Sequence, residues 1–390
     1  MLPASLAVQA APVPPPKGSL VIIGGNLRAE NADVWQRVVQ LAGGPGARIA
    51  VFPSASADPA RSGEIIVGRL NEYGANSFLV PLAVKLEGSD FRKLAEDPAL
   101  AASVRAAGGV FFAGGDQARI TQVLVREDGK RSAVLDAVWD VYSRGGVVAG
   151  SSAGAAIMSS TMFYAPQTVF GTLRMGVTDG REIAPGLGFI GDDVFIDQHL
   201  LVRGRFARMI PAMLKKGYKL GLGIDENTAM VVDNRRRVEI VGHKGALLID
   251  LTRATTDASS AGFNVSNVAI SYLDRGDRYD LATRTFIPSP DKAASLPGDG
   301  AGQPLFSSNI LGSNAVVELM EQLVNNRQQQ AIGIATGGAG DSLPALGFEF
   351  KFSKTPDSSA YVSRARDAYS ILNMRLDIRP IEVPQAHDYK

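Results

Sequence analysis

Short apolar runs that alternate with helical patterns are the feature that most restricts how this chain folds. The apolar runs lie at residues 20–23, 47–52, 77–82, 109–113 and 147–149. Segments with helical spacing lie between them, at residues 32–41, 61–73, 117–126 and 130–142. Fully apolar strands are typical of parallel sheets covered on both faces. The repeated units therefore predict an α/β fold with a doubly wound, mostly parallel sheet and helices on both faces.

The regular alternation ends near residue 250, where the sequence changes character. Two apolar segments, 237–241 and 246–250, are predicted to pair as a hairpin, and residues 265–273 are a further candidate strand. Residues 288–313 are rich in Pro, Gly, Ser and Ala, which is typical of a linker or long loop. Beyond the linker we predict a helix at about 315–325 and strands at 348–352 and 372–378.

We expect three regions along the chain. Residues 1–18 form a leader in which Val8-Gln9-Ala10 resembles the small-x-small cleavage site of an exported protein, although a full signal peptide is not present. Residues 19–287 form the main α/β domain, and residues 288–390 form a linker with a small α+β extension. The leader favours a secreted protein, extracellular or periplasmic, over a plain disordered N-terminus.

Bulk properties exclude several functional classes. A formal net charge of +1 provides no global field for nucleic acid or for an anionic membrane surface. No stretch is long enough to span a bilayer, so we expect no membrane insertion. The absence of cysteine excludes disulfides, thiolate metal sites and a cysteine nucleophile. We expect neither a metal nor a cofactor.

A candidate nucleophile follows the fifth apolar run. Gly150-Ser151-Ser152-Ala153-Gly154 fits the pattern Gly-x-Ser-x-Gly, which describes a strand, a sharp turn that projects a serine, and the start of a helix. The pattern selects Ser152 rather than Ser151. The same five residues are also compatible with an ordinary Gly/Ser/Ala-rich loop without chemistry, because short motifs recur by chance.

A serine nucleophile needs a general base, and the chain has only three histidines. His387 lies near the C-terminus, and His243 lies in a probable turn outside the α/β unit. His199 follows an apolar strand after the nucleophile, where strand ends converge. By elimination we predict His199 as the base, against the alternative of a structural histidine.

The base in turn needs a carboxylate, and the developing oxyanion needs donors. Asp225 and Glu226 both follow a Gly-flanked turn, and spacing leaves the choice between them open. Gly114-Gly115 ends the fourth apolar run, where one backbone N–H can form an oxyanion hole together with the N–H of Ala153. An ordinary tight turn is an equally good interpretation of the glycine pair.

Three arginines close to His199 indicate the charge of a substrate. Arg203, Arg205 and Arg208 offer forked donors that suit carboxylates. The alternative is a solvated basic helix face, which is common. Beside a hydrolytic serine, the cluster favours an acidic substrate.

Four blocks of this chain resemble, in order, the signatures of cyanophycinases. The blocks are Phe112-Ala113-Gly114-Gly115-Asp116-Gln117, Gly150-Ser151-Ser152-Ala153-Gly154-Ala155, Asp197-Gln198-His199 with the three arginines, and Gly223-Ile224-Asp225-Glu226-Asn227-Thr228-Ala229. The resemblance covers about residues 19–286. Members of that family are serine exopeptidases with a class I glutamine amidotransferase-like fold, related to aspartyl dipeptidases.

The resemblance implies a role for each matching residue. Ser152 would be the nucleophile, His199 the base and Glu226 the orienting carboxylate. Of the backbone donors described above, we expect Gly115 and Ala153 to form the oxyanion hole. The implied substrate-binding residues are Gln117, Asp197, Gln198, Arg203, Arg205 and Arg208. The implied substrate is cyanophycin, a poly-aspartate with arginine on each side-chain carboxylate, which family members cleave to β-Asp-Arg dipeptides. The family also implies a homodimer.

Two other functions remain compatible with the sequence. A related serine peptidase would act on aspartyl or isoaspartyl dipeptides rather than on the polymer. A non-catalytic binding protein on the same fold is the second alternative, because fold does not imply function. The nucleophile block has Ser151 where threonine is usual in the family, and the segment after residue 288 exceeds the compact members.

Overall fold

The computed structural model describes residues 16–295, 304–337 and 346–383. In these ranges the strands are β1 Ser19–Ile23, β2 Arg48–Phe52, β3 Asn76–Leu79, β4 Gly109–Phe112, β5 Val147–Ser151, β6 Thr161–Phe163, β7 Ile183–Pro185, β8 Val194–Gln198, β9 Leu220–Ile224, β10 Thr228–Val232, β11 Arg237–Gly242, β12 Ala246–Asp250, β13 Val265–Leu273, β14 Arg278–Asp280, β15 Thr285–Ile287, β16 Lys292–Ala294, β17 Leu305–Ser307, β18 Gln330–Thr336, β19 Leu346–Ser353, β20 Ser359–Ser363 and β21 Tyr369–Glu382. The helices are α1 Ala32–Leu41, α2 Pro59–Glu72, α3 Phe91–Ala95, α4 Pro98–Arg105, α5 Gln117–Leu124, α6 Ala133–Ser143, α7 Ala153–Ala156, α8 Val169–Met175, α9 Phe206–Lys216 and α10 Ala315–Val324.

The first sheet contains the five strands that the apolar runs predict. Its nine strands follow the order β15-β14-β11-β10-β1-β5-β4-β2-β3. The strands from β1 to β3 in this order all pair in parallel, as the predicted α/β fold requires. The remaining four strands continue the sheet with antiparallel pairing, which the sequence did not predict.

Helices cover both faces of this parallel region. On one face α1 packs Val34, Trp35 and Val38 against alternate residues of β1 and β5. On the other face α4, α5 and α6 bury apolar side chains in a separate cluster that contains Phe52 and Phe112. All four residues of β4 are buried, because the strand is covered from both sides. The chain therefore has the predicted α/β architecture with helices on both faces.

A second sheet carries the C-terminal residues. Its main path is β17-β18-β19-β21-β13-β12-β9-β8, and β20 and β16 branch from β21. Helices α9 and α10 pack against it through a cluster that includes Phe206, Met209, Leu319 and Phe350. Strands from both sides of residue 288 pair in this sheet, β13 with β21 being one case. The division at 287 and 288 stays a prediction, and the predicted leader lies almost wholly outside the described residues.

The predicted hairpin of residues 237–241 and 246–250 is wrong. β11 pairs with β10 and β14 in the first sheet, whereas β12 pairs with β9 and β13 in the second. The short connection between them passes from one sheet to the other. Apolar strand patterns do not reveal their pairing partners, and β11 and β12, although consecutive in the chain, each pair with other strands.

The two sheets meet at the ends of β1, β5, β8 and β9. β8 and β9 run parallel in the second sheet, with Gln198 opposite Ile224. Residues 225–227 then join β9 to β10, which lies beside β1 in the first sheet. In β1 and β5, Ile23 is opposite Ser151. Residues that follow these four strands are therefore brought together along one seam.

A buried ion pair joins the C-terminal segment to the rest of the chain. Lys292 Nζ of β16 lies 2.9 Å from Asp277 Oδ1, and neither side chain is exposed to solvent. Ser370 Oγ of β21 donates a hydrogen bond to the other oxygen of Asp277.

In the part of the chain that the structure describes, no helix combines the length and apolarity needed to cross a membrane.

Candidate active site

Ser152 lies in the sharp turn that its sequence pattern predicts. β5 ends at Ser151, a short helix begins at Ala153, and Ser152 between them has φ 54° and ψ −108°. A Cβ on Gly150 would lie 2.2 Å from the carbonyl oxygen of Gly154, so a side chain cannot be placed there. The turn holds Ser152 in a backbone conformation that costs about 1–3 kcal/mol for a residue other than glycine.

His199 connects Ser152 to a carboxylate. His199 Nε2 lies 2.8 Å from Ser152 Oγ, and His199 Nδ1 lies 2.6 Å from Glu226 Oε1. The tautomer that satisfies both contacts carries its proton on Nδ1, which donates to Glu226, and leaves Nε2 free to accept from the serine hydroxyl. This is the geometry needed for a hydroxyl nucleophile, a base and an orienting carboxylate.

The end of β1 anchors the backbone of all three segments. The N–H of Ser152 donates to the Ile23 carbonyl at 3.0 Å, and that of His199 donates to the Gly24 carbonyl at 2.9 Å. The N–H of Asn227, next to Glu226, donates to the Gly25 carbonyl at 2.8 Å. A Cβ on Gly25 would lie 2.2 Å from His199 Cε1, so this approach requires glycine. One strand end therefore positions the nucleophile, the base and the carboxylate.

The surroundings keep His199 neutral and Glu226 ionised. Burial lowers the pKa of His199, and the nearby charges of Arg203 and Arg205 lower it further, although the Glu226 hydrogen bond acts in the opposite direction. Burial by itself raises the pKa of Glu226, but hydrogen bonds from Asn26 and His199 outweigh it, so that this pKa lies below its usual value. A neutral imidazole beside a carboxylate is ready to accept the serine proton.

Backbone donors lie beside the Ser152 hydroxyl. A Cβ on Gly114 would come within 3.7 Å of Ser152 Oγ, which shows how closely this loop approaches. Gly115 has φ 139°, and a Cβ there would lie 2.1 Å from the carbonyl oxygen of Ala55. Within residues 16–295, 304–337 and 346–383, neither the Gly115 N–H nor the Ala153 N–H has a hydrogen-bond acceptor. Both are free to bind an anionic oxygen.

Asp225 and Glu226 have different partners, which spacing could not reveal. Glu226 contacts His199 and is the carboxylate of the site. Asp225 is fully buried, and its Oδ1 accepts from the N–H groups of Leu201 and Val202. Asp225 therefore holds the turn that follows His199 and does not reach the histidine ring.

Three of the predicted substrate-binding residues already hold other parts of the site. Gln117 Nε2 donates to the carbonyls of Phe163 and Tyr164 at 2.7 and 3.3 Å. Arg205 Nη1 donates to Gln198 Oε1 at 2.8 Å, and burial lowers the pKa of Arg205 to about 10. Each of the three keeps further polar atoms that a ligand can contact.

Arg203 is the exposed arginine of the cluster. Its side chain has no hydrogen-bond or ion-pair partner among the described residues, and its charge acts on both His199 and Glu226. An exposed guanidinium whose charge acts on His199 and Glu226 is suited to a substrate carboxylate.

Asp197 and Arg208, two further predicted substrate-binding residues, form a buried ion pair with each other. Arg208 Nε and Nη2 each donate to the Asp197 carboxylate at 2.7 Å, and the two residues are only 3% and 1% exposed. The guanidinium also lies over the ring of Phe163, 4.1 Å from its centre. A buried charge needs a partner, and each of these residues is the partner of the other. The pair supports the strand that leads to His199, and its role in substrate binding stays a prediction.

Sequence reasoning did not identify Asn26. Its Nδ2 donates to Glu226 Oε2 at 3.0 Å, from the loop that follows β1. The only signal was the polar cluster Gly24-Gly25-Asn26 at the end of an apolar run, which marks where a site can form but assigns no role.

Comparisons with known proteins identify the family of this chain. Residues 20–240 match the model of peptidase family S51. A cyanophycinase of Trichormus variabilis is 32% identical over 288 residues, which cover 71% of this chain and 89% of that protein. A cyanophycinase of Geminocystis herdmanii is 30% identical over 274 residues, covering 68% and 95%.

Solved structures with a detectable likeness are more distant. A crystal structure of a peptidase from an acI-B1 Actinobacterium is 22% identical, with a TM-score of 0.44, and covers 59% of this chain and 90% of that one. A putative peptidase E of Listeria monocytogenes is 16% identical, with a TM-score of 0.38, and covers 58% and 98%. The family match and the curated relatives together show that this chain belongs to peptidase family S51 and is a cyanophycinase-like serine peptidase.

Proposed function

We propose that this peptidase hydrolyses cyanophycin to β-Asp-Arg dipeptides through an acyl-enzyme on Ser152. The observation that carries the proposal is the continuous contact from Ser152 Oγ through His199 to Glu226, at 2.8 and 2.6 Å. The names of the two curated relatives described above, both cyanophycinases, at 32% and 30% identity, support the polymer as substrate.

The first half of the reaction forms the acyl-enzyme. His199 Nε2 takes the hydroxyl proton of Ser152 as Oγ attacks the scissile carbonyl carbon, and Glu226 stabilises the resulting imidazolium. The N–H groups of Gly115 and Ala153 receive the negative charge on the carbonyl oxygen. When the tetrahedral intermediate collapses, the imidazolium returns its proton to the leaving amine, and the peptide C–N bond breaks.

The second half releases the product. His199 removes a proton from a water molecule, which attacks the ester carbonyl of the acyl-enzyme. The intermediate collapses with cleavage of the bond to Ser152 Oγ, which regains a proton from His199. The net reaction consumes one water for each bond cleaved and leaves the enzyme unchanged.

Charges near the serine support an aspartate-containing substrate. Arg203 offers its guanidinium from an exposed position, and Arg205, two residues further along the chain, is partly buried. Each aspartate side chain of cyanophycin is already bonded to arginine, so the carboxylates that would pair with these donors are the C-terminal one and those of the linked arginines. The guanidinium of the substrate arginine needs another partner than Asp197, because Asp197 is already bound to Arg208.

The test is a digestion of cyanophycin with identification of the products by mass spectrometry. We expect β-Asp-Arg from the wild-type protein and none from Ser152→Ala. Cleavage of aspartyl or isoaspartyl dipeptides without release from the polymer would instead establish the related dipeptidase activity. A protein that binds the polymer and leaves it intact, with Ser152 unreactive to a serine-directed inhibitor, would be a non-catalytic relative.

Two further features are proposed from the sequence and the family. The Val8-Gln9-Ala10 site supports export, which a comparison of activity in culture medium and in cell lysate would test. Assembly as a homodimer follows from the family resemblance alone, and light scattering of the purified protein would test it.

A further inference from the structure

Both oxygens of Glu226 have a partner. Oε1 contacts His199 Nδ1 at 2.6 Å, and Oε2 accepts a hydrogen bond from Asn26 Nδ2 at 3.0 Å. The terminal torsion of a glutamate side chain is broad, so a carboxylate held through one oxygen rotates readily about its last bond. The second contact restricts that rotation and fixes the plane in which Oε1 faces the imidazole.

The backbone around Asn26 is itself fixed against the site. Asn26 has φ 45°, a left-handed conformation that asparagine tolerates better than most residues. The two residues before it, Gly24 and Gly25, accept the N–H groups of His199 and Asn227. The backbone next to Asn26 is therefore hydrogen-bonded to His199 and to the residue that follows Glu226.

A second asparagine, Asn31, binds Asn227, the residue that follows Glu226. Asn31 Nδ2 donates to Asn227 O at 2.9 Å and to Asn227 Oδ1 at 2.8 Å, and the N–H of Arg28 donates to the same side-chain oxygen at 3.1 Å. The loop after β1 thus binds residues 226 and 227 through their side chains and their backbone. Asn26 is the member of this loop that contacts the catalytic carboxylate directly.

The chemistry of an amide suits this position. An amide donor is neutral, so it orients the carboxylate and favours the ionised form without cancelling its charge. A lysine or arginine in this place would pair with Glu226 and weaken its hold on the imidazolium. A neutral donor leaves the full negative charge facing His199.

We propose that Asn26 is a positioning residue that holds Glu226 in the orientation in which it supports His199, so that the site is a four-residue chain of Ser152, His199, Glu226 and Asn26. The proposal rests on the proposed function only for the role of Ser152 as nucleophile, and it does not depend on which peptide is cleaved.

The test measures how fast an alkyl fluorophosphonate inactivates the full-length protein across a range of pH. This probe reacts with an activated serine hydroxyl, so its rate reports the state of the chain without the natural substrate. In Asn26→Gly the backbone conformation is retained and the donor is lost. We expect its plateau rate to fall about 10- to 100-fold, the effect of losing one hydrogen bond to a charged group, with a thermal transition close to that of the wild type.

Asn26→Asp gives a readout that a structural role would not produce. The aspartate has the same size, but it places a second carboxylate beside Glu226, which raises the pKa of both Glu226 and His199. We expect the acidic limb of the rate profile to move to higher pH by about one unit. Asn267→Gly is the matched control, because Asn267 also has a positive φ, 62°, and lies on β13 of the second sheet. Its profile should match that of the wild type.

Specific results would overturn the proposal. A plateau rate in Asn26→Gly equal to that of the wild type would show that the contact has no role in the reaction. A lower plateau in Asn26→Asp without movement of the acidic limb would show that Asn26 serves folding alone. If the wild-type protein itself does not react, the role of Ser152 fails and the inference about Asn26 fails with it.

Discussion

Ser152 and His199 face each other at 2.8 Å while both have positive φ angles, 54° and 50°. Their N–H groups donate to the adjacent carbonyls of Ile23 and Gly24 at the end of β1. Two strained residues from different sheets are thus held by one rigid strand. Strain of this kind persists only where the surrounding structure over-determines the backbone, and it is typical of functional sites.

Relief of the strain at Ser152 should be measurable. Ser152→Ala and Ser152→Gly both remove the hydroxyl and its contact with His199, but only glycine adopts the backbone angles of this turn without cost. We expect the glycine variant to have a free energy of unfolding about 1 kcal/mol higher than that of the alanine variant. Urea denaturation of the two variants measures this difference. Equal free energies of unfolding would show that the backbone at Ser152 is not strained.

The two neighbouring acids offer a matched pair of variants. In Glu226→Gln the amide cannot stabilise the imidazolium, so we expect kcat to fall by up to about 10,000-fold with the fold retained. In Asp225→Asn the N–H groups of Leu201 and Val202 lose a charged acceptor, so the main effect should be a loss of stability of about 1–3 kcal/mol. Steady-state kinetics and urea denaturation separate the two effects. A larger loss of kcat in the Asp225 variant would reverse the assignment.

We expect the charge of Arg203 to influence how the rate of inactivation by a fluorophosphonate depends on pH. Its proximity lowers the pKa of His199, so removing the charge in Arg203→Met raises that pKa. The acidic limb of the inactivation rate with a neutral fluorophosphonate should then move to higher pH, and the plateau should stay unchanged. Arg253→Met is the control, because Arg253 lies in the turn that follows β12 and its side chain is 85% exposed. Movement of the limb to lower pH in Arg203→Met would contradict the electrostatic account.

The buried pair of Lys292 and Asp277 should couple the C-terminal segment to the fold. Lys292→Met leaves the carboxylate of Asp277 buried without its counter-charge, which costs about 3–5 kcal/mol. The double variant Lys292→Met/Asp277→Asn removes both charges, so we expect it to be more stable than the single variant. Urea denaturation monitored by fluorescence tests this order of stability, and a single variant as stable as the wild type would show that the pair is dispensable.

The local sequence pattern was sufficient to predict the parallel strands of the first sheet and the turn that contains Ser152. Each parallel strand matches a short apolar run, and four of the five runs end in small or polar residues. Helix α1 was predicted with the bounds that the structure shows. The glycines at positions 150 and 154 indicated the turn because only glycine fits there. These features depend on residues close together in the chain, which is why the sequence reveals them.

Local sequence pattern alone did not predict features that depend on distant partners. The antiparallel strand β10 has the same apolar character as a parallel strand, and nothing in it indicates that β1 is its neighbour. The choice between Asp225 and Glu226 depends on the turn at Asn227, whose φ of 54° no spacing rule anticipates. Arg208 was predicted to bind substrate because its charge is visible in the sequence, whereas its burial against Asp197 is not.

The most direct test of the central claim is a digestion of purified cyanophycin by the wild-type protein and by Ser152→Ala, with the products identified by mass spectrometry. The account predicts β-Asp-Arg dipeptides from the wild type and intact polymer from the variant. Release of the dipeptide by Ser152→Ala at the wild-type rate, or no release by a wild-type protein whose Ser152 reacts with a fluorophosphonate, would contradict it.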